Sequence, residues 1–285
     1  MAEQRKTTIS TLYKKKQANE KIVMLSATDT IFSTLQAQAG VDILLAGDSA
    51  VTTILGKNST LAVTMDWMIE MAAAIRRGAP DVYLIGDMPF MSYQASITEA
   101  IHNAGRFMAE GGCDSIKIEC NRRQIDIVQS ISAAGIPVMA HLGLLPQSAA
   151  SLGGYRTQAR TAETAAKLIE DARDFREAGA SFLLLESVPP EPARIITSES
   201  DVPVIGCGAG PYVDGQVMIM HDLLGLTLGK KPTFAKAYAQ LAESATNAFT
   251  EYAKQVRQGK YPSAEHCYSM AEGEREKLNS LFPTP

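Results

Sequence analysis

Acidic residues recur in this chain at the downstream ends of short apolar runs. Asp29 closes IVMLSATD (22–29) and Asp48 closes DILLAGD (42–48). Asp87 lies in VYLIGDM (82–88), Glu119 in SIKIEC (115–120) and Glu186 in SFLLLES (181–187), with His141 in PVMAHLG (137–143). Ionised carboxylates are acceptor-only oxygen donors, so several converging on one point repel one another unless a cation sits among them. Oxygen ligands without cysteine, and a single histidine nearby, suit a hard ion such as Mg2+, which takes one or two carboxylates, keeps waters and leaves positions for substrate oxygens. Such an ion engages both oxygens of a 2-oxo acid and favours loss of the C3 proton by stabilising the enolate. On this chemistry Asp48 and Asp87 are the candidate direct ligands, and Glu119 binds directly or through water. Glu186 is the candidate base, and Lys117 offers positive charge to a substrate carboxylate or developing oxyanion.

Two of these residues have a plainer reading. Asp29 precedes TIFSTLQAQ, and aspartate is a preferred helix N-cap. In SIKIEC, alternation along a strand puts Ile116 and Ile118 on one face and Lys117 and Glu119 on the other. Those two charges either form a structural ion pair or face a rim shared with the other carboxylates.

The elements that would position them alternate. Strands are expected at the runs above, at 203–210 (PVIGCGAG) and, more weakly, at 217–222 (VMIMHD). Helical periodicity falls at 30–39, 64–77, 97–110, 122–134, 161–178 and 190–198. Gly40, Gly78, Gly135 and Gly179 stand where helix C-caps belong. Strand–helix alternation implies a parallel sheet. Eight such units favour a closed α/β fold, the (β/α)8 TIM barrel, whose active site lies at the C-terminal ends of the strands. The chain is expected to be one domain, 1–285. Residues 1–20 would be an N-terminal segment, and 233–285 a helical, polar C-terminal extension packed on the barrel.

Composition narrows the function. The 285 residues are 46% hydrophobic with a formal net charge of −4. Acids and bases are interspersed, and no basic patch points to nucleic acid. The start, MAEQRKTTISTLYKKKQANEK, lacks the apolar core of a secretory signal, and no apolar run approaches the roughly 18 residues of a membrane span. Four cysteines without CxxC spacing read as reduced thiols of a cytoplasmic protein. GCGAG (206–210) departs from the dinucleotide fingerprint, and its glycines are expected to allow close backbone approach near the barrel mouth. The long, glycine-bearing loop 144–160 suits a lid.

The ordered motifs GDS (47–49), STLAVT (59–64), GDMPFMSY (86–93), IKIE (116–119), HLGLLPQS (141–148), GGYRTQAR (153–160), LLLESVP (183–189), VIGCGAG (204–210) and YPSAEH (261–266) closely resemble the ketopantoate hydroxymethyltransferase family. The resemblance implies a barrel of the phosphoenolpyruvate/pyruvate type. It further implies transfer of a hydroxymethyl group from 5,10-methylenetetrahydrofolate to C3 of 3-methyl-2-oxobutanoate, giving 2-dehydropantoate for pantothenate synthesis. Carried onto this chain, it makes Asp48 and Asp87 the Mg2+ ligands, with Glu119 at the third metal position. Ser49, Lys117 and His141, together with Asp48 and Asp87, become substrate contacts, and Glu186 the proton acceptor. A homo-oligomer is also implied, often a decamer of pentameric rings. The chain departs from the family pattern at SATD (26–29), GDSAVT (47–52) and KIECN (117–121, with Lys117 first). These loops motivate an alternative: a paralogue acting on another 2-oxo acid or one-carbon donor, or an isocitrate-lyase-like C–C bond enzyme.

Overall fold

The computed structural model describes residues 6–283 apart from Leu152 and Lys230. Among the described residues, eight strands lie in chain order around a closed barrel, each parallel to the next. They are β1 (Ile22–Ala27), β2 (Ile43–Ala46), β3 (Tyr83–Asp87), β4 (Ser115–Glu119), β5 (Val138–Gly143), β6 (Phe182–Glu186), β7 (Val204–Cys207) and β8 (Gly215–Met218). The helices of this unit are α1 (Ile9–Gln17), α2 (Thr30–Gln38), α3 (Ala50–Thr53), α4 (Met65–Gly78), α5 (Ile97–Ala109), α6 (Ile125–Ala133), α7 (Ala162–Glu177), α8 (Pro190–Glu199) and α9 (Met220–Leu223). The chain divides into two compact units, residues 1–238 and 239–285. The second carries α10 (Leu241–Arg257) and α11 (Glu274–Leu281); within it, the Tyr261 ring packs against Tyr252 at 5.5 Å and His266 at 5.1 Å.

The period of two sorts the strand residues into two apolar layers. Ile43, Leu45, Tyr83, Ile85, Met139, Phe182, Leu184 and Ile205 fill the barrel interior. Leu44, Leu84, Ile116, Ile118, Val138, Leu183 and Leu185 face outward and pack with helix residues such as Met68, Phe107 and Phe175. Polar caps start the helices: the Asp29 carboxylate accepts from Phe32 N–H at 2.9 Å, and Thr64 and Ser96 hydroxyls cap α4 and α5. The Asp29 cap reading is the one the fold adopts.

Two sequence expectations need correction, and a third gains detail. Gly78 ends α4 as its last residue, and its lack of a side chain serves helix packing: a Cβ there would collide with the Ser33 hydroxyl and the Thr30 carbonyl of α2. The eighth strand spans 215–218 rather than 217–222. Gly215 lies too close to the Ile22 backbone to carry a side chain, and the Met220 N–H turns to the Ser26 hydroxyl at 2.9 Å, drawing the chain into α9. The expected N-terminal segment contains a real helix, α1, whose three consecutive lysines mask one apolar side. That side closes the barrel's N-terminal end: Leu12 is fully buried in the interior cluster, and the Tyr13 hydroxyl donates to the Ser181 carbonyl at 3.0 Å. Among the described residues, no helix is long and apolar enough to cross a membrane.

Replacing Leu12 by Ala should therefore cost about 2–5 kcal/mol, the range for deleting a buried leucine side chain. Urea unfolding checks this; a loss below the experimental error would mean that α1 does not seal the barrel.

Candidate active site

Asp87 and Lys117 occupy paired positions on β3 and β4, so both side chains enter the barrel on the same face. The Lys117 Nζ donates to Asp87 Oδ1 at 2.7 Å, and both residues are at most 5% exposed. Asp48 follows β2 by two residues. Its backbone N–H donates to Asp87 Oδ2 at 3.1 Å, so each Asp87 oxygen has a partner. The partner of Lys117 is thus the neighbouring strand's aspartate. Glu119 shares its face, and of the two readings the Lys117–Glu119 ion pair is not formed; both Glu119 oxygens accept the Gln147 N–H, at 3.0 and 3.1 Å.

The electrostatics follow from three buried carboxylates around one buried ammonium. Burial raises the Asp48 carboxyl, and the nearby Asp87 adds to the rise, while Lys117 and the Gln147 hydrogen bond oppose it. Glu119 is pushed up to about 8 by burial, against the pull of Lys117 and the Gln147 N–H. For Lys117, burial disfavours the charge, but Asp87, Asp48 and Glu119 outweigh it and hold the pKa above the ordinary value. An excess of buried anionic oxygen is what a hard divalent cation would neutralise. Among the described residues, no three or more His, Cys, Asp or Glu side chains form a ready-made ligand set.

Asp48, Ser49, Asp87, Lys117, His141 and Glu186 line one cavity of about 380 Å3 at the strand C-termini, against apolar walls that include Leu184, Val217 and Ile219. His141 Nε2 lies 3.2 Å from Glu186 Oε2, out of line for a hydrogen bond, and neither ring nitrogen has an aligned partner. Burial and then Lys117 lower the His141 pKa, against the pull of Glu186 and Asp87, which favours the neutral ring. Glu186, with a side chain 18% exposed, faces the opening. Asp29 lies outside this lining.

Four polar residues of the site were not singled out from sequence, although each lies in or beside a motif quoted above. Tyr93 and Gln147 are buried and bonded to each other at 3.0 Å. Thr60 and Asp222 line the cavity; the Thr60 hydroxyl is buried without a protein partner, and Asp222 accepts from Thr227 at 2.6 Å. The loop 144–160 supplies Gln147 and Tyr155 to the site. The close approach expected of GCGAG is to side chains of the protein itself: at Gly208 a Cβ would meet the Phe234 ring, and at Gly210 the Pro190 side chain.

A (β/α)8 barrel with anionic oxygens, an ammonium and an apolar wall at its C-terminal mouth defines a barrel enzyme for small oxygen-rich substrates. The fold agrees with solved structures: phosphonopyruvate hydrolase superposes with a TM-score of 0.60 over 97% of this chain and 99% of that one at 14% identity. The same enzyme has been solved with oxalate and Mg2+ (TM-score 0.59). 2,3-Dimethylmalate lyase, a PEP mutase/isocitrate lyase superfamily member, gives 0.59 over 96% of this chain and 99% of its own, at 14% identity. Residues 6–264 match the family model of ketopantoate hydroxymethyltransferase. The 3-methyl-2-oxobutanoate hydroxymethyltransferase of Syntrophomonas wolfei is 44% identical, covering 97% of this chain and 99% of the relative. That of Desulfotalea psychrophila is 48% identical over 89% and 91%. The chain belongs to the ketopantoate hydroxymethyltransferase family.

The raised carboxyls set a pH dependence. Glu119 and Asp48 both hold protons more tightly folded than unfolded, so the folded state carries more protons above pH 4.5 and up to about pH 8. By linkage, stability falls as pH rises through that window. The melting temperature of chelator-treated protein should drop from pH 5 to pH 8, and less steeply in Glu119→Gln. An equally steep drop in that variant would remove Glu119 as a source.

Proposed function

We propose that this chain transfers a hydroxymethyl group from 5,10-methylenetetrahydrofolate to C3 of 3-methyl-2-oxobutanoate, giving 2-dehydropantoate, with Mg2+ as its resident ion. The observation that carries the reading is the cluster of Asp48, Asp87 and Glu119 around Lys117 beside a cavity that also presents Glu186. Family membership and the Mg2+–oxalate complex of a barrel with the same fold support it. A homo-oligomeric, decameric assembly in the cytoplasm belongs to the same reading and is drawn from the family alone.

Asp48 and Asp87 would hold the ion, with Glu119 at the third position. When bound, Mg2+ supplies Lewis-acid polarisation of the 2-oxo acid. Lys117, kept charged by its acidic neighbours, offsets negative charge growing on the substrate oxygen. Ser49 and the neutral His141 orient the substrate from the cavity wall, and Leu184, Val217 and Ile219 receive its branched alkyl end. The C3–H bond breaks with its proton passing to the Glu186 carboxylate. Water adds to the one-carbon unit as its two C–N bonds break, the water protons passing to the folate nitrogens, so that tetrahydrofolate leaves and formaldehyde remains. The electron pair left at C3 then bonds to the formaldehyde carbon, and its oxygen takes the proton back from Glu186 as the new hydroxyl.

The second reading, a different 2-oxo acid or donor, has the loop departures behind it, and the structure gives these little part in the cavity. Val51 packs in the outer core, and Asn121 caps the turn at Arg122–Gln124. Turnover across 2-oxo acids separates the readings, with preference for a polar side chain favouring the second.

Glu186→Gln should slow solvent deuterium exchange at C3 of 3-methyl-2-oxobutanoate by about 10²–10⁴-fold, the usual worth of a general base, while calorimetry still detects binding. Exchange at the wild-type rate would assign the proton to another group.

A further inference from the structure

Gln147 sits at the start of the loop 144–160, 4% exposed, and every polar group of its side chain is engaged. Its Nε2 donates to Asp48 Oδ2 at 3.0 Å and to the Met88 carbonyl at 3.1 Å. Its Oε1 accepts from the Tyr93 hydroxyl at 3.0 Å, and its backbone N–H donates to both oxygens of Glu119. The Tyr93 hydroxyl in turn accepts from the Glu119 N–H at 3.2 Å. These bonds close a ring from the Glu119 backbone through Tyr93 and Gln147 back to the Glu119 carboxylate, with a branch to Asp48. The amide orientation is fixed by chemistry, because turning it over would set its oxygen against a carboxylate and a carbonyl.

We propose that Gln147 is a positioning residue: it sets the carboxylates of Asp48 and Glu119 for a divalent cation and ties the loop 144–160 to that site. The bond to Asp48 Oδ2 fixes the rotation of the carboxylate and so decides where its other oxygen points. The N–H shared by both Glu119 oxygens holds that group in place. Tyr93 reaches Asp48 one step removed, by holding the amide that holds it, and meets Glu119 directly at its backbone N–H. Hydrogen-bond partners of this kind change metal affinity about 10–100-fold when removed. This inference rests on the reading of the site as a Mg2+ site.

The test is Mg2+ binding by calorimetry on full-length wild type, Gln147→Leu and Tyr93→Phe, with circular dichroism and thermal melts of the metal-free proteins. Gln147→Leu is expected to weaken Mg2+ binding about 10–100-fold. Tyr93→Phe, which reaches Asp48 only through Gln147 and Glu119 only at its backbone, is expected to weaken it less. Turnover of the variants should climb towards wild type as Mg2+ is raised, which a merely structural defect would not allow. Gln147→Leu binding Mg2+ within twofold of wild type overturns the proposal. If that variant does not fold, Tyr93→Phe decides: unchanged Mg2+ affinity overturns the proposal, weakened affinity supports it. Absence of Mg2+ binding by wild type itself overturns the metal reading and this inference with it, whereas normal wild-type binding with unaffected variants overturns this inference alone.

Discussion

Lys117 is an ammonium inside a barrel whose other interior layers are aliphatic and aromatic, and the site is organised around that buried charge. An isolated ammonium in such surroundings would lose its proton. The Asp87 carboxylate at 2.7 Å keeps it charged. Removing either member of a buried pair leaves an uncompensated charge and costs about 3–5 kcal/mol. The pair also constrains its surroundings, because Asp48 and Glu119 add anionic oxygen that one ammonium cannot balance. Backbone and amide N–H groups offset part of the excess, and raised carboxyl pKa values show what is left over. A site in this condition favours a second cation, and the same imbalance makes it a poor place for an apolar ligand.

Strands and loops divide the work. Asp87, Lys117, Glu119, His141 and Glu186 stand on β3 to β6, where ladder hydrogen bonds fix their separations. Asp48, Ser49, Gln147 and Tyr155 come from the loops beyond, where sequence can vary without disturbing the barrel. The junction at Glu186 is held with particular care. Ser187, next in the chain, takes a left-handed backbone at φ 50°, a conformation that costs a non-glycine residue of order 1–3 kcal/mol. It persists because its N–H donates to the Cys207 carbonyl and its own carbonyl accepts from the Gln158 N–H, both at 2.9 Å. The second bond comes from Gln158, near the far end of the loop 144–160. Both stems of the loop 144–160 are thus fastened to residues of the site.

The barrel was legible because its strands are short and apolar, and a period of two states which side chain faces in. Placing charged residues at the last inward position then named the mouth. Pairing was not legible in the same way. Whether Lys117 meets Glu119 or Asp87 depends on the register between β3 and β4, which a single strand's pattern does not contain. Gln147 bonds to a residue 99 positions away, and nothing in LLPQS marks a glutamine as buried. Local signals also misled at β8, where glycine packing outweighs the apolar run, and at α1, whose lysines hide the leucine that plugs the barrel.

His141 shows how the two halves of the site stay chemically separate. It lies between the Lys117 cluster and Glu186, and its Nε2 is close enough to Glu186 for an ion pair were the ring protonated. A protonated ring would pair with the Glu186 carboxylate. Burial and the Lys117 charge both oppose that protonation, and only Glu186 and Asp87 favour it. Burial first, and then the ammonium that steadies Asp87, thus favour the neutral imidazole. The same buried charge therefore bears on both ends of the cavity.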